Sequence, residues 1–412
     1  MSDTTQDETL PQGMQLTPLD EDFRADPYPL LKRLREDAPM LLDKELQRRM
    51  YTRHDDVKGI LRSKTFYADP RKARPGTFSK EFLAKGFGDE EDMPMLLMDE
   101  PDHRRLRGLV SAPFTPAAVE RWRPRTREVV QRILNAITEP EFDLIEAFAG
   151  PIPTVVIAEL LGIDAALHAD FKRWSDTSVQ ISFNPFPTPE QQAAAETANN
   201  TLMDFFGSEI ERRSQDLGDD LLSDMIRAEE DGEKLTRNEI IRQCNLLLIA
   251  GNVTTTDLIG NGIKALLDHP RQLAKLRANP DLIGNAVEEI LRYDSPVVNS
   301  GRVVNADTTL AGCPAHQGDS LTVSLASANR DPDFYPDPDS FDIQREDTHH
   351  QSFGGGSHLC LGAHLARLEA QEAILALLER YPTLGHSERG HVYHSIPSFR
   401  GFSEFWVDTR SA

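Results

Sequence analysis

The chain has 412 residues, 39% of them hydrophobic and 27% charged, which is enough apolar material for a large core and too much for a disordered chain. Asp plus Glu total 67 against 45 Lys plus Arg, a net charge of -22, which excludes a general nucleic-acid binder because phosphate neutralisation needs clustered cations. Three cysteines, Cys244, Cys313 and Cys360, do not describe a disulfide framework and fit a reducing cytoplasm.

The opening MSDTTQDETLPQG is polar and acidic, with no targeting signature, and residues 1–25 read as a loosely ordered lead-in. Pro27 and Pro29 open a helical pattern through Leu30, Leu31 and Leu34. Residues 45–70 hold short β-like pieces, and 71–98 read as loops with short helices. From 103 to 290 the periodicity is helical: Val119 to Ile137, Ile152 to Leu161, Ala193 to Arg213 and Arg237 to Leu267. The Pro-dense FNPFPTPE at 183–190 separates two helices. The apolar stretch Leu246 to Ala250 is far short of the roughly 20 residues that span a bilayer, so no membrane partner is expected. Sequons at Asn199 and Asn252 carry no meaning in a cytoplasmic chain.

After Pro296, Val297 to Leu310 and Leu321 to Ala326 look like strands. The run ANRDPDFYPDPDSFD is irregular, Leu361 to Tyr381 is a strong helix, and a β-like tail ends in EFWVD. The expectation is one domain over 26–412, mainly α with small β-sheets.

The richest chemistry lies in Phe353-Gly354-Gly355-Gly356-Ser357-His358-Leu359-Cys360-Leu361-Gly362, continued by Ala363-His364-Leu365-Ala366-Arg367. Glycines let the backbone approach a flat ligand. A cysteine at a helix start is drawn toward the thiolate, a soft metal ligand. A dinucleotide loop fails for want of a third glycine and a βαβ unit. A zinc site using His349, His350, His358, Cys360 and His364, a Cys–His nucleophile, and a plain glycine cap all remain open on these residues alone.

The run from Phe353 to Arg367 resembles the haem-binding loop of the cytochrome P450 superfamily, and the resemblance, of the soluble bacterial type, extends from Pro27 to near Val407. It implies a cytochrome P450-like fold holding haem b (iron protoporphyrin IX) between two helices. Cys360 becomes the iron ligand, and Phe353 and Gly362 border the cofactor. Glu289-Ile290-Leu291-Arg292, with Arg330 of Ala328-Asn329-Arg330-Asp331-Pro332, resembles the elements that lock the region beneath the haem. Glu-x-x-Arg alone says little, since it recurs at Glu120–Arg123 and Glu209–Arg212 as a surface pair.

His103 and Arg107 lie four apart, on one helical face, and alone would read as a solvated basic face. By the resemblance they hold the haem propionates together with Arg302 and His358. Ala250-Gly251-Asn252-Val253-Thr254 combines a glycine that costs a helix about 1 kcal/mol with a threonine able to bond back to the Ala250 carbonyl. The resemblance makes Ala250 and Gly251 the dioxygen groove and Thr254 the catalytic residue that steers protons. One departure stands out: the family's usual acid before that threonine is here Val253, which cannot relay a proton. Asp257, one turn on, is the candidate substitute.

The implied activity is monooxygenation of a hydrophobic small molecule, with electrons from a separate ferredoxin and ferredoxin reductase. The alternatives are a peroxide-dependent peroxygenase and a non-catalytic haem-binding protein. The pocket is expected from Thr77 to Leu97, Phe183 to Pro189, Leu247, and Val297 to Ser300. Arg71, Lys72, Arg74, Arg104 and Arg105 are the expected basic patch for an acidic ferredoxin.

Overall fold

The computed structural model describes residues 10–83, 93–182, 187–230 and 235–410. Helices α1 (Glu21–Ala25) and α2 (Tyr28–Asp37) lead to strands β1 (Met40–Asp43) and β2 (Arg48–Tyr51), then α3 (His54–Arg62) and β3 (Phe66–Tyr67). The helical half follows with α4 (Asp102–Val110), α5 (Pro116–Ala136), β4 (Glu141–Asp143), α6 (Pro151–Leu160) and α7 (His168–Ser182). It continues through α8 (Pro189–Arg213), α9 (Leu221–Glu230), α10 (Arg237–Asp268), α11 (Pro270–Ala278) and α12 (Ile283–Tyr293). Strands β5 (Asn299–Val304), β6 (Thr308–Leu310), β7 (Cys313–Ala315) and β8 (Ser320–Ser324) precede the short α13 (Leu325–Ala328). The chain ends in α14 (Ala363–Arg380) and the pair β9 (Gly385–Tyr393) and β10 (Phe402–Asp408).

Local chemistry sets the helix ends. Thr236 and Glu239 form a reciprocal capping box that starts α10, and Thr188 with Gln191 does the same for α8, where Pro189 takes the first helical position. Helix α10 buries Ile241, Leu248, Ile249, Leu258, Ile263 and Leu266 around most of its girth, which makes it the central post of the helical half. Helices α5, α6, α7, α8, α12 and α14 pack against it or against one another. Beside this half lies a five-stranded sheet in the order β1-β2-β8-β5-β3, and β4-β10-β9 form a second sheet.

Two expectations change. Residues 10–25 are not a loose lead-in: Leu16 and Phe23 are buried in a cluster with Leu31, Leu34, Leu41 and Met50. Apolar side chains four to seven residues apart in a polar segment gave too weak a period to see. Leu325 and Ala326 turn from strand into α13 because the Ser324 hydroxyl accepts the Ser327 N–H and caps a helix there. No helix among the described residues is long and apolar enough to cross a membrane.

Candidate functional site

The cysteine loop is shaped by two left-handed glycines, Gly354 (φ +69) and Gly356 (φ +68). A Cβ at Gly356 would stand 2.6 Å from the Leu61 carbonyl of α3, so the close approach of loop and helix also requires glycine there. The Cys360 N–H donates to the Phe353 carbonyl at 2.9 Å and closes the loop. The Arg367 guanidinium covers the Phe353 ring at 4.4 Å. Cys360 precedes Gly362, the cap of α14, rather than sitting in the helix's first turn.

Burial pushes the Cys360 thiol up, against the Gly362 N–H and the charges of Arg107 and Arg367, which pull it down. The expected bias to thiolate from the helix end alone is therefore overridden. Yet Cys360 is exposed while Cys244 is buried and Cys313 half-buried.

Two guanidiniums and two imidazoles, the latter held neutral by burial, converge beside that cysteine. The His103 and His358 rings stand 4.1 Å apart, and Arg107 donates to the Leu359 carbonyl at 2.7 Å. Burial, with the charges of Arg302, His103 and Arg107, drives His358 down to about 3. Arg302 is only 8% exposed, and burial lowers it to about 10. Among the described residues its hydrogen bonds run to the Gly301 carbonyl and the Ser300 hydroxyl, and not to a carboxylate. The buried His103 Nδ1 has no hydrogen-bond partner, Glu100 being 3.8 Å away. Such a cluster is costly unless carboxylates join it.

Beneath the loop, Arg292 and Glu289 are fully buried and doubly bonded. The third partner is Arg345, at 3.2 and 3.3 Å from the two Glu289 oxygens, rather than the expected Arg330. Arg330 instead donates to the Tyr293 carbonyl and Asp339 and stacks between Tyr28 and Tyr293. The zinc reading falls: among the described residues no group of three or more His, Cys, Asp or Glu could hold a metal ion, and His349 and His350 are turned to Asp347 and Glu288.

Opposite in chemistry is the middle of α10. Ala250, Gly251, Val253 and Thr254 keep accessible surface although the helix around them is buried. A Cβ built on Gly251 meets nothing within 4 Å, and the Thr254 hydroxyl donates to the Ala250 carbonyl at 2.9 Å. Asn252, the sequon residue, is buried and bonded to Thr154, Ser175 and Asp176. Val253 packs in an apolar cluster with Ile249, Val297, Ile396 and Phe399. Ile396 and Phe399 were not expected here, because the tail showed only a β-like pattern. Asp257 is buried and bonded to His394.

Of the expected pocket segments, residues 84–92 and 183–186 lie outside the described residues. The expected basic patch is neutralised locally. Arg71 pairs with Asp69, Lys72 with Asp99, Arg74 with Asp319, Arg104 with Glu100 and Arg105 with Glu239.

A family model described as Cytochrome P450 matches residues 47–389. Cytochrome P450 monooxygenase PikC of Streptomyces venezuelae is 40% identical over 403 residues, covering 95% of this chain and 93% of the relative. The 6-deoxyerythronolide B hydroxylase of Saccharopolyspora erythraea is 37% identical over 374 residues, covering 88% and 91%. Among solved structures, the myxobacterial cytochrome P450 CYP267B1 in complex with myristic acid superposes with a TM-score of 0.87 at 34% identity, covering 96% of this chain and 99% of that one.

Proposed function

The chain belongs to the cytochrome P450 family of haem b monooxygenases, and from that premise we propose that it oxidises an apolar organic substrate within one haem-thiolate domain of residues 10–410. When bound, the haem supplies the reductive activation of dioxygen, one oxygen atom entering the substrate and the other leaving as water. The residues present suit that group. Arg302 and Arg107 are cations with no hydrogen bond to a carboxylate among the described residues, and His103 and His358, which burial keeps neutral, add N–H donors; two propionates would give all four a partner. Cys360 would ligate the iron, with Phe353 and Gly362 fixing its loop. Ala250 and Gly251 leave room beside the helix, and Thr254 would hold and pass a proton there.

The single observation that carries this reading is the pair Arg302 and Arg107, with no carboxylate bonded to them among the described residues, gathered with the donors of His103 and His358 beside an accessible cysteine. The test is the spectrum of the reduced protein with carbon monoxide. The thiolate-type band should be present in the parent and in Cys313→Ala, and absent in Cys360→Ala. A band that survives in Cys360→Ala sinks the assignment.

The apolar wall of Ile249, Val253, Val297, Ile396 and Phe399 supports a substrate of hydrocarbon character, such as a macrolactone or fatty acyl chain. Electrons would come from a separate ferredoxin and ferredoxin reductase in the cytoplasm. A second reading, a hydrogen-peroxide-driven peroxygenase, is favoured by Val253, an apolar residue packed where an acid would be needed. Turnover with the ferredoxin pair but not with peroxide removes it.

A further inference from the structure

Asp257 is 1% exposed, and burial raises its carboxyl. Its oxygens stand 3.2 and 3.1 Å from His394 Nε2. Of the other charges, Asp294 at the end of α12 acts on it repulsively and is itself held by Arg400. The carboxylate also lies against the tail backbone: a Cβ at Gly401 would stand 1.9 Å from its Oδ1. The Ile396 N–H donates to His394 Nδ1, which assigns the ring proton to Nε2, facing Asp257.

These contacts clamp the base of a loop. The His394 N–H donates to the Gly401 carbonyl at 3.1 Å, and between those residues stand Ile396 and Phe399. The loop turns through Ser398 at φ +73, a left-handed conformation that a serine holds only when its surroundings enforce it. Its apolar side chains meet Val253 and Ile249 of α10, beside the groove. The anchoring acid and the contacted wall thus sit on one helix, a single turn apart.

We propose that the Asp257–His394 pair is a positioning device that sets the C-terminal loop, and with it Ile396 and Phe399, against the groove helix and so fixes the width of the apolar pocket. Asp257 is then not the substitute proton donor. Both of its oxygens face His394 Nε2, and the Gly401 backbone packs against them too closely for a side chain to intervene. The inference rests on the haem-thiolate reading above.

The test compares two iron-binding probes on the holoenzyme, imidazole and the bulkier 4-phenylimidazole, by equilibrium spectral titration. His394→Ala and Gly401→Ala should each weaken 4-phenylimidazole about tenfold, the effect of losing a charge-assisted hydrogen bond, while imidazole changes less than about twofold. His394→Gln keeps an N–H for Asp257 and should stay near the parent, which protects the test against variants that merely unfold. Loss of both probes equally, or of neither, overturns the proposal. So does a parent-like pocket in Asp257→Asn whose reducing equivalents are diverted to peroxide, the signature of a proton donor. A parent lacking the thiolate-type carbon monoxide band overturns the haem-thiolate reading instead.

Discussion

Two buried arginines divide the molecule by chemistry. Arg292, 0% exposed, donates to both oxygens of Glu289 and to the carbonyls of Asn329, Pro338 and Ser340. A guanidinium has five N–H donors, and here each finds an acceptor. Arg302, 8% exposed, reaches among the described residues the Gly301 carbonyl and the Ser300 hydroxyl, beside a His103 with an unpartnered Nδ1. Both guanidiniums have lost water. The first has been compensated by its own chain, and the second has not. A satisfied buried charge marks a part of the fold, and an unsatisfied one marks a seat for a ligand of opposite charge.

Breaking the satisfied region should have the largest effect. Arg292→Ala leaves the buried Glu289 with only Arg345 and the Asp342 N–H among the described residues, and removing one member of a buried pair costs about 3–5 kcal/mol. That is a large share of a stability of about 5–15 kcal/mol, so soluble yield and melting temperature should collapse. Arg292→Lys should fare little better, because a point charge cannot serve five acceptors. A normal yield of Arg292→Ala would break the equation of satisfied with structural.

The unsatisfied region should respond in the opposite way. Arg302→Gln and Arg107→Gln remove charges to which no carboxylate is hydrogen-bonded among the described residues, and an amide N–H can still serve the Leu359 and Gly301 carbonyls, so circular dichroism and soluble yield should hold. Retention of haem should fall about tenfold per charge-assisted bond lost, read as faster haem transfer to an excess of haem-free globin. Unchanged retention in the double variant would remove the propionate assignment.

What was legible in the sequence follows the same division. The glycine loop and the Ala250–Gly251–Thr254 groove are local: turns, caps and back-bonds are made by residues within a few positions of each other, so spacing encodes them. The partners that decide chemistry are remote. Arg345 reaches Glu289 across 56 residues, and His394 reaches Asp257 across 137. No periodicity carries such a pairing, which is why Arg330 stood in for Arg345 and Asp257 was free to be imagined as an acid. Ile396 and Phe399 escaped for the same reason: their burial is made by α10, far back in the chain.

A pH experiment sharpens the satisfied side at smaller scale. Burial opposes ionisation of Glu288, but hydrogen bonds from Arg367 and His350 override it and hold the carboxyl at about 2, below its ordinary 4.5. A carboxyl lowered in the folded state adds stability above its unfolded value and loses it as pH falls through the folded one. The hydrogen-bonded carboxylate should therefore contribute about 3 kcal/mol at neutral pH, lost progressively as pH falls from the ordinary carboxylate value toward about 2. Glu288→Gln should melt lower than the parent at neutral pH, and the gap should close in acid. A gap that is constant with pH would assign its cause to packing rather than charge.

The smallest effect belongs to the same four-residue motif placed in water. Glu209 and Arg212 repeat the spacing of Glu289 and Arg292 and form the same doubly bonded pair. Arg212 is 66% exposed at its side chain, however, where Arg292 is 0% exposed. In water the guanidinium loses nothing when its partner is removed, because solvent replaces the bonds, and holding two long side chains together costs entropy. Arg212→Ala should therefore change stability by no more than about 0.5 kcal/mol, even though its hydrogen-bond geometry matches that of the buried pair. Heat denaturation of Arg212→Ala beside Arg292→Ala measures the contrast in one protein. If the surface variant fell as far as the buried one, the geometry of Glu-x-x-Arg would itself carry the energy, and completeness of burial would no longer separate fold from ligand seat. Desolvation, and not spacing, is what gives the motif at Glu289 its meaning.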